Sequence, residues 1–206
     1  MSTPKLMSFD RDAPIGAETE RALVMGVRAG DIAAFEQLFR AYNRQLYRFA
    51  LSILHSPDEA EDVIQGVFVS IWEHRVTWSV YSSLRVYLFT AVRNRALQQL
   101  RGVRTRDRLQ GDVLTFQSRF IAETRLVPDA ELQHNDFAAA LDRAVLALPP
   151  RTREAFLLTR EHGLTYEQAA VAMGVSPKTI MTHIGRALAT LRKAVGPFLA
   201  FFLATR

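Results

Sequence analysis

The chain has 206 residues, enough for one or two domains of about 150 residues or fewer and too short for three. Its 49% hydrophobic and 23% charged residues, with 10 Gly and 8 Pro, exclude collagen-like, low-complexity and wholly disordered classes. The absence of cysteine excludes disulfides, thiolate metal sites, iron–sulfur clusters and a cysteine nucleophile, and the net charge of +5 points to a polyanionic partner.

Residues 1–17 mix charge, proline and glycine with no apolar run, so they read as a disordered leader and not as a signal peptide. Glu18 to Gly30 is expected to form a short helix ending on its glycine, with Asp31 placed as the N-cap of the next. Ile32, Phe35, Leu38, Phe39, Leu46, Phe49, Ala50, Ile53 and Leu54 then recur at three- and four-residue steps, one apolar stripe along a long helix. Ser56-Pro57-Asp58-Glu59 opens another helix, with serine as N-cap, proline in the first turn and glutamate to close a capping box. That helix runs to about Arg75 on Val63, Ile64, Val67, Phe68, Ile71 and Trp72. Thr77 to Ser83 is aperiodic, and Leu84 to about Arg101 is helical again.

Residues 102–129 lose periodicity and read as a flexible linker. Helical pattern resumes near 130 and stops at Pro149-Pro150, because proline disfavours α conformation in the residue before it. Three short units follow: Arg151 to His162 closed by Gly163, Thr165 to Met173 opened by a Thr165–Gln168 capping box, and Ser176 to about Val195 opened by Ser176-Pro177. No segment alternates with period two and no hairpin turn signal occurs. The fold class is therefore all-α: two small helical domains, 18–101 and 130–206, joined by the linker. The tail 197–206 carries Phe198, Leu199, Phe201, Phe202 and Leu203; it is short of the roughly 20 residues a bilayer span needs. It is expected to pack back on the second domain, with docking to an inhibitor or to the other domain as the alternative. The protein is expected in the cytoplasm, without stable membrane insertion.

Catalytic chemistry finds no support. His55, His74, His134, His162 and His183 are scattered without metal-ligand spacing, no Gly-rich phosphate loop occurs, and Asp58, Glu59, Glu61 and Asp62 stand at a helix opening where the dipole favours them. Nucleic acid fits better. From Arg75 to Arg108 eight arginines, Arg85, Arg93 and Arg95 among them, face one acid, Asp107, interleaved with Trp78, Tyr81, Tyr87, Phe89 and Asn94. Arginines neutralise phosphates, and aromatic faces stack on unpaired bases. In Thr165 to Lys193, Ala169 and Ala170 permit close helix approach, Gly174 makes the turn, and Val175 and Ile180 fill the angle of a helix-turn-helix. Its second helix would present Lys178, Thr179, Met181, Thr182, His183 and Arg186 to a major groove, with no acid between Ser176 and Lys193.

Both halves resemble bacterial sigma factors of the sigma-70 superfamily, in particular the small extracytoplasmic-function (ECF) type. The front half resembles region 2 in 31–39, in Ala60-Glu-Asp-Val-Ile-Gln-Gly-Val-Phe-Val-Ser-Ile-Trp72 and in 87–96; the back half resembles region 4 in 148–156 and in the helix-turn-helix. The resemblance implies that Glu61, Asp62, Gln65, Phe68 and Trp72 dock on the β′ subunit of core RNA polymerase, with Phe68 and Trp72 as apolar anchors. It implies that Trp78, Tyr81, Arg85, Arg93, Asn94 and Arg95 read and melt the −10 promoter element, and that the helix after Ser176 reads the −35 element. It further implies no small-molecule cofactor and no catalytic centre, promoter DNA as partner, and room for an anti-sigma factor. Gly66 departs from the acid usual after the glutamine, and Met181 from the basic residue usual in the recognition helix. The rival reading is a conventional helix-turn-helix regulator that binds duplex DNA without polymerase, which leaves Ala60 to Trp72 unexplained.

Overall fold

The computed structural model describes residues 16–80, 83–110 and 141–204, the side chains of 103–110 and 195–204 excepted. Seven helices are delimited among them: α1 (Ala17–Arg28), α2 (Ile32–Leu54), α3 (Pro57–Glu73), α4 (Leu84–Gln110), α5 (Pro150–Phe156), α6 (Tyr166–Met173) and α7 (Pro177–Ala204). Residues 141–146 are also helical, and no strand occurs among the described residues.

Local signals start these helices where the sequence places them. The Asp31 carboxylate accepts the Ala33 N–H at 2.8 Å to open α2, and the Ser56 hydroxyl accepts the Glu59 N–H at 3.4 Å ahead of Pro57 in α3. α2 ends on His55, a non-glycine residue in the left-handed region (φ 57°). Its stripe is buried from Leu38 onward, but Ile32 is 63% exposed and starts the helix outside the core. The last turn, Leu51 to Leu54, is buried on every side because α5 covers the side that α3 and α4 leave open.

α4 passes through the middle of the molecule. It packs on α2 and α3 with one side and on α6 with the other, so Leu84, Val86, Leu88, Phe89, Val92 and Ala96 are all buried. A helix covered on two sides needs apolar residues off a single stripe. The expected linker starts too early: the helix runs through Gly102 to Gln110, and the rest of 102–129 lies outside the described residues.

In the second half, α5 continues into a π-helical turn, Leu157–Glu161, before Gly163. Thr165 and Gln168 form the full capping box of α6, with both reciprocal bonds made (3.2 and 2.9 Å). Gly174 turns the chain at φ 64°, a left-handed conformation in which a Cβ is strained. α7 then continues beyond the expected end at Val195, through Pro197 to Ala204; how the tail's side chains pack lies outside the described residues. The buried apolar residues of both halves form one continuous core, from Val27 on α1 to Leu191 on α7.

Candidate functional site

Three surfaces carry the chemistry-bearing residues. The first is the outer face of α3. Glu61, Asp62 and Gln65 are exposed there, and Gln65 donates to Glu61 at 3.5 Å. Phe68 is not on that face. It is 3% exposed, edge-on to Phe35 (6.1 Å between ring centroids) and Phe39 (4.9 Å), so it supports α3 from behind and cannot anchor a partner directly. Trp72 is half-buried against Phe35 at 5.0 Å, with the Arg75 guanidinium 4.7 Å from its ring centroid. Val69, which sequence reasoning missed, is the exposed apolar residue of the face, four positions after Gln65 and 53% accessible. Its only sequence signal is that it falls outside the buried stripe of its helix.

Gly66 also lies on this face, four residues from Asp62. A glycine inside a helix costs about 0.5–1 kcal/mol relative to alanine. The neighbouring chain accounts for it. The Arg95 side chain crosses from α4, donates from Nη1 to the Gly66 carbonyl at 3.3 Å, and fills the space a side chain would occupy.

The second surface is the 74–80 loop and α4. Trp78 is buried, edge-on to Tyr87 at 5.8 Å, and lines a hollow of about 380 Å³ with Ser70, His74, Thr77, Ser79 and Tyr87. Tyr81 lies outside the described residues. Asn94 and Arg95 are exposed. Arg85 and Arg93 are not presented to solvent as a DNA-facing pair. Arg85 donates to Gln45 Oε1 at 3.0 Å and to the His162 carbonyl. Arg93 is 5% exposed and makes a 2.8 Å ion pair with Glu154 of α5. Both belong to a polar seam between the two halves of the chain. Arg153 extends that seam, donating to the Ser52 carbonyl (3.3 Å) and to His55 Nε2 (3.0 Å), and His162 lies between Phe49 (5.7 Å) and Phe89 (4.7 Å). Burial holds His162 down to about 3 and, with the nearby Arg153 charge, His55 to about 4, so both imidazoles are neutral there. Burial pushes the Glu154 and Glu161 carboxyls up to about 7, against the pull of Arg151, His183 and Arg153 on the first and Arg48 on the second.

The third surface is the helix-turn-helix. Ala169, Ala170 and Ile180 are buried in the angle between α6 and α7, as the pattern requires, and Val175 is half-buried. Ser176 caps α7, accepting the Thr179 N–H at 3.2 Å. Lys178, Met181, Thr182 and Arg186 are exposed together on its outer side, Met181 at 60%. Two expected members turn aside. The Thr179 hydroxyl is 2.9 Å from Ser176 Oγ, and His183 is half-buried with Nδ1 3.1 Å from Thr152 Oγ1 on α5. The structure thus brings four of the six predicted groove-facing residues onto one face.

Among the described residues, no group of three or more His, Asp or Glu side chains could hold a metal ion, and no helix is long and apolar enough to cross a membrane.

Comparison with known proteins matches these surfaces to two named regions. The sigma-70 region 2 family profile matches residues 38–106, which contain α3 and most of α4, and the sigma-70, region 4 profile matches 138–191, which contain α5, α6 and the first half of α7. Together they span well over half of the chain. The RNA polymerase sigma-H factor of Pseudomonas aeruginosa is 27% identical over 189 residues, covering 88% of this chain and 96% of that protein. The ECF RNA polymerase sigma factor SigM of Mycobacterium tuberculosis is 27% identical over 168 residues, covering 82% of this chain and 80% of that protein. Among solved structures, CnrH in complex with the cytosolic domain of CnrY shares the fold (TM-score 0.61, 22% identity, 87% of this chain and 98% of that one). The sigma factor RpoE of Bartonella quintana, in complex with the anti-sigma factor NepR, has a TM-score of 0.57 at 26% identity, over 80% of this chain and 98% of that one.

A helical pair of this order, with region 2 before region 4, is a transcription-initiation factor of the sigma class. The chain belongs to the sigma-70 family, in its extracytoplasmic-function group, and directs promoter-specific transcription as a dissociable factor. The region 2 match accounts for Ala60 to Trp72, the segment the regulator reading leaves without a role.

Proposed function

We propose that the outer face of α3 docks on core RNA polymerase through Glu61, Asp62 and Gln65, with Trp72 at its margin and Phe68 bracing it from inside. The loop after α3 and the exposed side of α4 engage the −10 element. A base flipped from the non-template strand enters the hollow beside Trp78, where Ser70, His74, Thr77 and Ser79 offer polar partners and Tyr87 an aromatic edge. Capture there offsets an unstacking cost of a few kcal/mol. Lys178, Met181, Thr182 and Arg186 meet the −35 element in the major groove, where side chains read base edges and phosphates.

The observation that carries this reading is the position of Arg85 and Arg93. Both lie on the α4 segment assigned to the −10 element, and both are engaged in the seam with the second half. In this reading the seam marks a closed form, and −10 engagement requires the halves to part. Parting exposes two arginines at the site of strand separation. An inhibitory partner that holds the closed form fits the same scheme; the sigma factor RpoE is found in complex with an anti-sigma factor, NepR. Association with polymerase places the protein in the cytoplasm, at the nucleoid.

The test is run-off transcription from a candidate promoter with purified core enzyme. Transcript that depends on this protein, with tight promoter binding only in the presence of core, is the expected result. A shift of duplex promoter DNA by the protein alone, without transcript, would replace this reading with that of a conventional regulator.

A further inference from the structure

Arg93 and Arg95 sit two residues apart on α4, which turns them about 200° from each other around the helix. The consequence is visible in their partners. Arg93 reaches Glu154 on α5, while Arg95 reaches across α3. The two side chains cannot grip a DNA backbone from one face of α4.

The Arg95 guanidinium lies in a specific place. A Cβ built on Gly66 would stand 2.2 Å from Nη2, 2.4 Å from Cζ and 2.6 Å from Nε of Arg95, so the guanidinium occupies the volume that a side chain at 66 would enter. Gly66 follows Gln65 directly, lies one turn after Asp62 and precedes Val69 by three residues, which puts all four on one helix face. The bond to the Gly66 carbonyl uses one of the five N–H donors of the guanidinium, and Arg95 is exposed.

We propose that Arg95 belongs to the polymerase-docking face, not to the −10 set, and that Gly66 is the seat that lets it lie there. The assignment rests on the sigma-factor reading of α3. It gives the face a mixed character: two carboxylates, a carboxamide, the exposed Val69 and one guanidinium held flat. Such a group suits a partner surface that offers a carboxylate or backbone carbonyls opposite Gly66, because the fork of donors is already oriented before contact. A lysine could not occupy the seat in the same way.

Binding of the full chain to core polymerase, followed by fluorescence anisotropy, tests this. Arg95→Ala is expected to weaken core binding about five- to tenfold, the effect of one charge-assisted hydrogen bond. Gly66→Ala is expected to do the same by displacing the guanidinium, while the melting temperature holds or rises because alanine is the better helix former. The double variant is expected to be no weaker than Arg95→Ala alone. With core saturated, Arg95→Ala is expected to bind a −10 single-strand oligonucleotide as the unsubstituted holoenzyme does. Core affinity of Arg95→Ala within about twofold of the unsubstituted chain overturns the assignment and returns Arg95 to the DNA-facing set. Additive losses in the double variant overturn the role of Gly66. Failure of the unsubstituted chain to bind core overturns the sigma-factor reading itself, and this assignment with it.

Discussion

Phe68 is 3% exposed, wedged between Phe35 and Phe39, whereas its neighbour Val69 is 53% exposed on the face turned away from the core. The two substitutions that separate packing from docking are therefore adjacent in the chain. Phe68→Ala leaves a cavity under α3 and is expected to cost about 3–5 kcal/mol, visible as a lower midpoint in urea denaturation. Val69→Asp replaces an exposed side chain, so its stability is expected to stay within about 0.5 kcal/mol of the unsubstituted chain while core binding weakens. The opposite pattern, a stable Phe68→Ala chain that fails to bind core, would restore Phe68 as the anchor. Sequence alone favours Phe68 over Val69 as the anchor, because large aromatics dominate interfaces and cores alike. Only the packing of Phe35 and Phe39 decides between them.

At the scale of elements, α7 carries the second separation. Lys178 and Arg186 are exposed beside Met181 and Thr182, while Thr179 is held by Ser176 and His183 by Thr152. Replacing Lys178 and Arg186 with alanine is expected to weaken holoenzyme binding to DNA bearing the −35 element. It is also expected to flatten the log–log salt dependence by about one unit for each phosphate no longer neutralised. Thr179→Ala is expected to leave that slope unchanged. An unaltered slope in the double variant would remove this face from the phosphate backbone. The helix-turn-helix was legible in the sequence because each of its devices is local: the capping box spans four residues, the turn rests on Gly174, and the Ser176-Pro177 start is contiguous. α4 was legible only in part. Past Gly102 its sequence carries no apolar stripe, yet Arg, Leu and Gln are good helix formers and the helix continues to Gln110. The seam had no local signature, since Arg93 and Glu154 are 61 residues apart and Arg153 and His55 are 98 apart. A basic run on α4 reads as nucleic-acid binding until its acidic partner is found in another domain. The π-helical turn at Leu157–Glu161 had no signal in residue type or spacing.

For the whole molecule, the seam decides which surfaces are available. The Arg93–Glu154 pair is buried on both sides, 6% and 7% exposed in its side chains, with Arg151 3.6 Å from the same carboxylate oxygen. Breaking such a pair leaves an uncompensated charge, which is strongly destabilising to the closed form. Glu154→Arg places three cations together and is expected to part the halves: a larger radius of gyration by small-angle scattering, with far-ultraviolet circular dichroism unchanged. An unchanged radius would mean that the apolar packing between α4 and α6 holds the halves together without the ion pair.

The seam also fixes how the closed fold responds to pH. Burial holds His162 at about 3 and His55 at about 4 against an ordinary 6.5, so the unfolded chain takes up their protons first and stability is lost as pH falls below 6.5. Burial raises Glu161 to about 7 from 4.5, so the folded chain binds that proton more tightly and stability is lost as pH rises from 4.5 through 7. Between 4.5 and 6.5 Glu161 offsets one of the two histidines, and the melting temperature is expected to rise with pH there by the share of the other. Glu161→Gln removes that offset. Arg48 favours the charged carboxylate and Asp142 opposes it, but burial is the larger effect, and Glu161 Oε1 has no hydrogen-bond partner. At pH 8 the substitution removes a carboxylate that is charged at a cost in the fold, so the variant is expected to melt above the unsubstituted chain, by about 2–4 °C for each kcal/mol gained. At pH 5 the parent's Glu161 is already protonated in the fold, and the difference is expected to close. Equal melting temperatures at both pH values would mean that Arg48 compensates the buried charge in full.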